Sequence, residues 1–155
     1  MQVRDLMTRD AQYCAPDTNL AAAAKMMWDS DCGLLPILNP DGVVLGVITD
    51  RDICMAASTR NRTPAAITVW ETSSGKAITC RPDDDIRTAL EAMERGKVRR
   101  LPVVDEGGVL QGMLSINDLV FAAGEHRGRS VPELSTEAVI RALKGIGAHR
   151  RPAGS

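Results

Sequence analysis

Two short stretches hold the residues best suited to gripping a charged small molecule. Gly46-Val47-Ile48-Thr49-Asp50-Arg51-Asp52 is echoed by Gly112-Met113-Leu114-Ser115-Ile116-Asn117-Asp118. In each, a glycine leads two apolar residues, then a hydroxyl residue, and three positions on an aspartate. The apolar pair predicts the end of a strand, and the residues after the hydroxyl predict the start of a helix. Such a junction can hold an anion, because free N–H groups of the first helical turn and the helix dipole favour negative charge. The same residues also satisfy a capping box, in which hydroxyl and acid occupy the orphan N–H donors. Capping accounts for one copy; two copies in the same context ask for more.

The duplication extends far beyond these stretches. A displacement of 66 positions, Cys14 onto Cys80, aligns the halves without a gap. Pro16 meets Pro82, Asp17 meets Asp83, Ala23 meets Ala89 and Met27 meets Met93. Leu35-Pro36 meets Leu101-Pro102, Gly42 meets Gly108 and Gly46 meets Gly112. An ungapped internal repeat of this kind defines the architecture. Each copy opens on a strand-like piece, Gln12-Tyr13-Cys14 or Ile78-Thr79-Cys80, stopped by a proline. Helical spacing follows, with Leu20, Ala23, Ala24, Met27 and Trp28 on one face of the first copy, and Ile86, Ala89, Leu90 and Met93 in the second. Asp83-Asp84-Asp85 resembles a metal-binding acid cluster, but at a helix start it reads as a cap complementing the dipole. Met27 and Met93 read as core.

Two apolar strands then flank a turn: residues 34–38 and 43–49 around Asn39-Pro40-Asp41-Gly42, and 101–104 and 109–115 around Asp105-Glu106-Gly107-Gly108. A last helix buries Ile53, Ala56 and Ala57, or Leu119, Ala122 and Ala123. The expected fold class is α+β (mixed α/β), a β-α-β-β-α unit twice, plus a C-terminal helix. The expected organisation is a first repeat over 1–58, a linker over 59–68 and a second repeat over 69–124. A loop over 125–134, a helix over 135–147 and a disordered tail over 148–155 follow. Residues 69–76 align with 3–10, so they open the second repeat. In the last helix Val139, Ile140, Leu143 and Ile146 share a side, and Gly145 and Gly147 end it.

Composition narrows the classes of function. The chain has 155 residues, 44% hydrophobic and 25% charged, which is the composition of a globular domain. Aromatics make up 3%, so Ala, Val, Ile, Leu and Met must build the core. A net charge of −1 gives no general field for nucleic acid. No membrane span or signal peptide is evident, and a cytoplasmic location is expected. Cys14, Cys32, Cys54 and Cys80 form no CxxC and stand far from His126 and His149, so no metal site is expected. Reduced, buried thiols are the expected state.

Paired β-α-β-β-α units, with Leu-Pro on the first hairpin strand and Gly-h-h-[ST]-x-x-Asp (h, apolar) at the last junction, resemble the cystathionine-β-synthase (CBS) domain family. Val3-Arg4-Asp5-Leu6-Met7-Thr8 is similar to the family's lead-in, and the resemblance covers residues 1–123. It implies two repeats packed with pseudo-twofold symmetry, clefts that bind adenine nucleotides or other adenosyl compounds, and disc-like homodimers. By that resemblance Asp52 and Asp118 would bind the ribose diol, as one carboxylate can accept from both hydroxyls. Thr49 and Ser115 would face the first phosphate. The base would lie against Tyr13, Cys14, Ala15, Leu34 and Leu35, and against Thr79, Cys80 and Leu101. Arg99 and Arg100, in Lys97-Val98-Arg99-Arg100, have no cationic counterpart in Asp31-Cys32-Gly33-Leu34. They read either as a solvated strand end or as phosphate contacts.

The leading expectation is a regulatory ligand sensor, with AMP, ADP or ATP as regulatory ligand, no required cofactor, and an unknown protein target. Enzymatic function is not expected: Gly107-Gly108-x-x-x-Gly112 lacks the Lys-Ser/Thr of a phosphate loop, and no nucleophile–base pair is evident. Nucleic-acid binding would rest on Arg99, Arg100, Arg127, Arg129, Arg150 and Arg151 without aromatic stacking residues. The runner-up is a ligand-independent dimeric scaffold.

Overall fold

The computed structural model describes residues 1–73, 75–126 and 128–148. It contains α1 (Leu20–Asp29), β1 (Leu34–Leu38), β2 (Val44–Thr49), α2 (Asp50–Thr59), α3 (Val69–Thr72), α4 (Ile86–Gly96), β3 (Arg100–Val104), β4 (Leu110–Ser115), α5 (Ile116–Ala122) and α6 (Thr136–Gly147). Short 3-10 turns cover Val3–Asp5 and Pro64–Ala66. The fold is mixed α/β, with two two-stranded sheets, β1-β2 and β3-β4. The tail expected to be disordered lies, beyond Ala148, outside the described residues.

Local chemistry sets these boundaries. Asn19 caps α1 by accepting the Ala22 N–H at 2.8 Å, and Asp85 caps α4 by accepting from Arg87 at 2.9 Å. The matched residues Asp31 and Lys97 adopt φ of 49° and 53° just past α1 and α4, a left-handed turn that ends each helix. At the first hairpin the Asn39 side chain accepts from Asp41 and Val43, while Gly42 supplies the positive φ of 82°.

The chain divides into two compact units. One holds the first sheet: Asp10–Ala77 with Glu106–Leu110. The other holds the second: Met1–Arg9, Ile78–Asp105 and the chain from Gln111 onward. Each repeat's lead-in therefore packs in the unit that carries the other repeat's sheet. Thr8 and Met113 exchange two backbone hydrogen bonds of 2.9 Å, and Val3 is fully buried in the second-sheet core. In the first-sheet unit, Val69 N–H donates to Thr18 O at 2.8 Å and Ser73 Oγ donates to Val47 O at 2.9 Å. This crossing explains the leading glycine of the repeated motif. A Cβ on Gly112 would lie 2.5 Å from Thr8 O, and one on Gly46 would lie 2.8 Å from Gly75 O.

Each unit has its own apolar core. Leu20, Ala23, Met27, Leu35, Ile37, Ile48, Ile53, Ala56, Ile67 and Val69 fill the first, with Cys14. Ile86, Ala89, Leu90, Met93, Leu101, Val103, Leu114, Leu119, Val139, Ala142 and Ile146 dominate the second, with Cys80. Several expected positions differ. Ala24 is exposed and Trp28 is 87% exposed, because α1 buries only the Leu20, Ala23, Met27 stripe. On α6, Val139, Ala142 and Ile146 face inward, while Ile140 and Leu143 form an outer stripe. Gly145 sits inside α6, pressed against Glu94, where a Cβ would come within 2.7 Å. The strand-like openings reduce to single parallel bridges, Cys14 to Ile37 and Cys80 to Val103. All four cysteines are free, but Cys54 is exposed and Cys32 half-buried, so only Cys14 and Cys80 are core thiols.

Candidate functional site

The repeated junctions fold as strand-to-helix turns, and both capping boxes form. Thr49 N–H donates to Asp52 Oδ2 at 3.0 Å, and Asp52 N–H donates back to Thr49 Oγ1 at 3.1 Å. Ser115 N–H donates to Asp118 Oδ2 at 2.8 Å, and Asp118 N–H donates to Ser115 Oγ at 3.3 Å. Both carboxylates are half-buried. Each spends Oδ2 on its cap; among the described residues Oδ1 accepts from no group. The cap fixes the carboxylate's orientation and leaves one oxygen for a ligand hydroxyl, so the capping and binding roles are compatible.

Sheet register decides which neighbours join them. Leu34 is the cross-strand partner of Thr49, and Asp50 N–H donates to Gly33 O at 3.0 Å. The matching bond in the second unit runs from Ile116 N–H to Arg99 O at 2.8 Å. Leu34 thus lies beside Thr49, and Arg99 and Arg100 lie beside Ser115. Neither arginine's side chain makes a hydrogen bond or ion pair with a described residue. Two unpaired cations thus stand on the strand whose main chain meets the start of α5, and a guanidinium and a hydroxyl are donors that a phosphate uses.

Other candidates are engaged elsewhere. Leu35 and Leu101 are fully buried, and the Cys14 and Cys80 side chains nearly so, which commits all four side chains to the cores. Burial pushes the Cys14 thiol up to about 11. Burial, helped by the Asp84 charge, pushes Cys80 up to about 12. The main chain of both cysteines is used too: Cys14 N–H donates to Pro36 O and Cys80 N–H to Pro102 O, while their carbonyls accept from Leu38 and Val104. Ala15 is tied to Thr18 in a turn. Tyr13 and Thr79 remain exposed. Tyr13, Cys14 and Ala15 line a hollow of ≈ 530 Å³ with Met26, Leu38 and Pro40. That hollow sits at the turn end of β1, about 13 Å along the strand from Leu34 at 3.3 Å per residue. In the first unit, therefore, Leu34 joins Thr49, whereas Tyr13–Ala15 form a separate group.

Three features of the site were not foreseen from the sequence. Asp50, the first residue of α2, folds over Gly33, where a Cβ would lie 2.9 Å from its Oδ2. The N–H of Asn117, in the first turn of α5, has no partner among the described residues. The lead-in backbone lies against Gly46 or Gly112, three positions before each hydroxyl residue. Only the unequal charge of Asp50 and Ile116 could have signalled the first. Among the described residues, no three or more His, Cys, Asp and Glu side chains group to hold a metal, and no helix is long and apolar enough to cross a membrane.

A duplicated α/β unit with a paired hydroxyl and acid at each strand-to-helix junction defines the fold class as a tandem repeat. The chain belongs to the CBS domain family, whose model matches residues 3–59 and 67–125. The CBS domain-containing protein YhcV of Bacillus subtilis is 28% identical over 144 residues, which are 93% of this chain and 94% of that one. A homoserine O-acetyltransferase of Methanosalsum zhilinae is 29% identical over 125 residues, 81% of this chain but 24% of that enzyme. Among solved structures, the CBS domain protein PAE2072 from Pyrobaculum aerophilum, complexed with AMP, matches with a TM-score of 0.69 and 27% identity, over 78% of this chain and 92% of that one.

Proposed function

We propose that this protein is a regulatory module that binds an adenine nucleotide or other adenosyl compound. The observation that carries the reading is Asp118, held by its cap with Oδ1 left over, beside Ser115 and the unpaired Arg99 and Arg100. The carboxylate suits a ribose diol and the arginines suit a phosphate. AMP in the PAE2072 complex supports the ligand class. In this reading Asp52 and Thr49 serve a second, unequal position, and Leu34 lies at its edge. Of the residues expected to back the base, Tyr13, Ala15 and Thr79 stay exposed, while Leu35, Leu101, Cys14 and Cys80 stand behind them in the cores.

Occupancy acts by favouring one packing arrangement over another, and it can do so only through a difference in affinity. The regulated partner is a second copy of the chain, a separate protein, or both. The exposed side chains of Trp28 and Phe121, 87% and 82% accessible, support such a protein contact. The runner-up, a scaffold without ligand, is favoured by the fact that both aspartates have capping work to do. Thermal unfolding with AMP, ADP, ATP and S-adenosylmethionine separates the two. Ligand at about a hundred times its Kd adds roughly 2.7 kcal/mol of stability, several degrees for this chain. A scaffold shows no shift, and Asp118→Ala then alters only the cap.

A further inference from the structure

We infer that Asp50 makes the first-repeat position selective against phosphate, so that it takes an adenosyl compound whose 5′ substituent is neutral or cationic. The inference rests on the functional reading above and assigns a ligand class to one of its two positions. The two junctions align residue for residue and share the hydroxyl and the capping acid, yet they differ in free N–H donors and in charge, with Asp50 and Arg51 where the second has Ile116 and Asn117.

In the first unit all three leading N–H donors are spent internally. Asp50 N–H goes to Gly33 O at 3.0 Å, Arg51 N–H to Asp50 Oδ1 at 2.8 Å, and Asp52 N–H to Thr49 Oγ1 at 3.1 Å. The second donor is taken by a carboxylate on the same turn. That carboxylate's other oxygen lies where a side chain on residue 33 would begin, 2.9 Å from an ideal Cβ. Gly33 and Asp50 form a coupled pair: the glycine's missing side chain is the seat of the acid. An incoming phosphate would meet no open N–H and two carboxylates, Asp50 and Asp52, set against one cation, the exposed Arg51. Like charges oppose one another, the more so where solvent screening is incomplete.

In the second unit the residue matching Asp50 is Ile116, 6% exposed and part of the core, and the residue matching Gly33 is Arg99. The Asn117 N–H is open, because no acid stands at 116 to take it. Arg99 and Arg100 add positive charge. Two exchanges, Gly33 against Arg99 and Asp50 against Ile116, thus move the junction from acidic toward basic. The carboxylate meant for the ribose is kept in both units, so the adenosyl half of the ligand is common and the 5′ substituent is what differs.

The test is isothermal titration of adenosine and of AMP into Asp118→Asn, which keeps a capping acceptor at 118 but removes the second-repeat carboxylate charge, and into Asp118→Ala. The account expects adenosine to bind at the remaining position, with AMP about tenfold weaker or more. Adding Asp50→Asn to either background should narrow that AMP-to-adenosine ratio by about tenfold. Equal binding of AMP and adenosine before the Asp50 change, or a ratio that Asp50→Asn does not move, overturns the inference and leaves the functional reading standing. Adenosine binding by the wild type but by neither folded Asp118 variant also overturns it. No binding of either compound to the wild type or any variant overturns the functional reading, and this inference with it.

Discussion

The two halves of this molecule share a backbone plan and differ in what they do with the same positions. Position 50 is an exposed acid seated over a glycine; position 116 is a buried isoleucine beside an arginine. Ala24 on α1 is exposed, whereas Leu90, its counterpart on α4, is buried under α6 with Val139, Ala142 and Ile146. Trp28 stands in solvent, whereas its counterpart Glu94 lies against Gly145. Duplication preserved the groups that shape the junction, the glycine, the hydroxyl and the capping acid. It released the neighbours, which set charge in one place and helix cover in another.

The shared part of the plan gives the largest expected effects. Gly112→Ala drives a Cβ into the Thr8 carbonyl at 2.5 Å, a backbone atom with little room to yield, and should cost about 2–4 kcal/mol in urea unfolding. Gly46→Ala meets Gly75 O at 2.8 Å and should cost somewhat less. If both substitutions were neutral, the close passage of the lead-ins would be wrong. The divergent part comes next. Leu90→Ala should destabilise by about 2–4 kcal/mol because α6 seals it into the core. Ala24→Leu, at the matching exposed site, should stay within about 0.5 kcal/mol. Equal losses at both would mean that α1 is covered too.

Titration sharpens the comparison at smaller amplitude. Both core thiols are held neutral, and their folded values exceed the ordinary value of 9.0, so their stabilising contribution is complete below about pH 9. It is lost as pH rises toward about 11 for Cys14 and about 12 for Cys80. Stability should fall from pH 9 upward, and Cys80→Ala should flatten that fall more than Cys14→Ala. A thiol reagent at pH 8 should label the exposed Cys54 well ahead of either. The smallest effect belongs to Glu71. The Thr68 backbone N–H first, then Arg62, hold its carboxyl down to about 2, against an ordinary 4.5. Its contribution is present above pH 4.5 and lost toward pH 2, so Glu71→Gln should reduce the loss of stability across that window. The side chain is solvent-exposed, so the difference should be slight.

Much of this was legible in the sequence because the repeat let each half check the other. Period-2 and period-3.6 patterns located β1 to β4, α1, α2, α4 and α5, and turn chemistry at Asn39 to Gly42 located the first hairpin. The paired hydroxyls and aspartates mark the junctions in the sequence itself. What escaped was non-local. No pattern in residues 3–8 says that they pack with the second sheet rather than the first. The Gly33–Asp50 seat joins residues 17 positions apart through a register that only pairing fixes. Trp28 was misplaced because apolar character alone does not reveal which face of an alanine-rich helix is covered. On α6, two apolar stripes competed for one interior, and Ala142 won over Ile140 and Leu143 by its position between Val139 and Ile146.

The central claim is that the second-repeat junction, with Asp118, Ser115, Arg99 and Arg100, takes the nucleotide phosphate and the first does not. The most direct test is the AMP-induced rise in Tm of the wild type, Asp52→Ala, Asp118→Ala and the Arg99→Ala/Arg100→Ala double variant. The account predicts a rise of several degrees for the wild type and Asp52→Ala, and its loss in the other two. A rise lost in Asp52→Ala but retained without Asp118 or the arginines would contradict it.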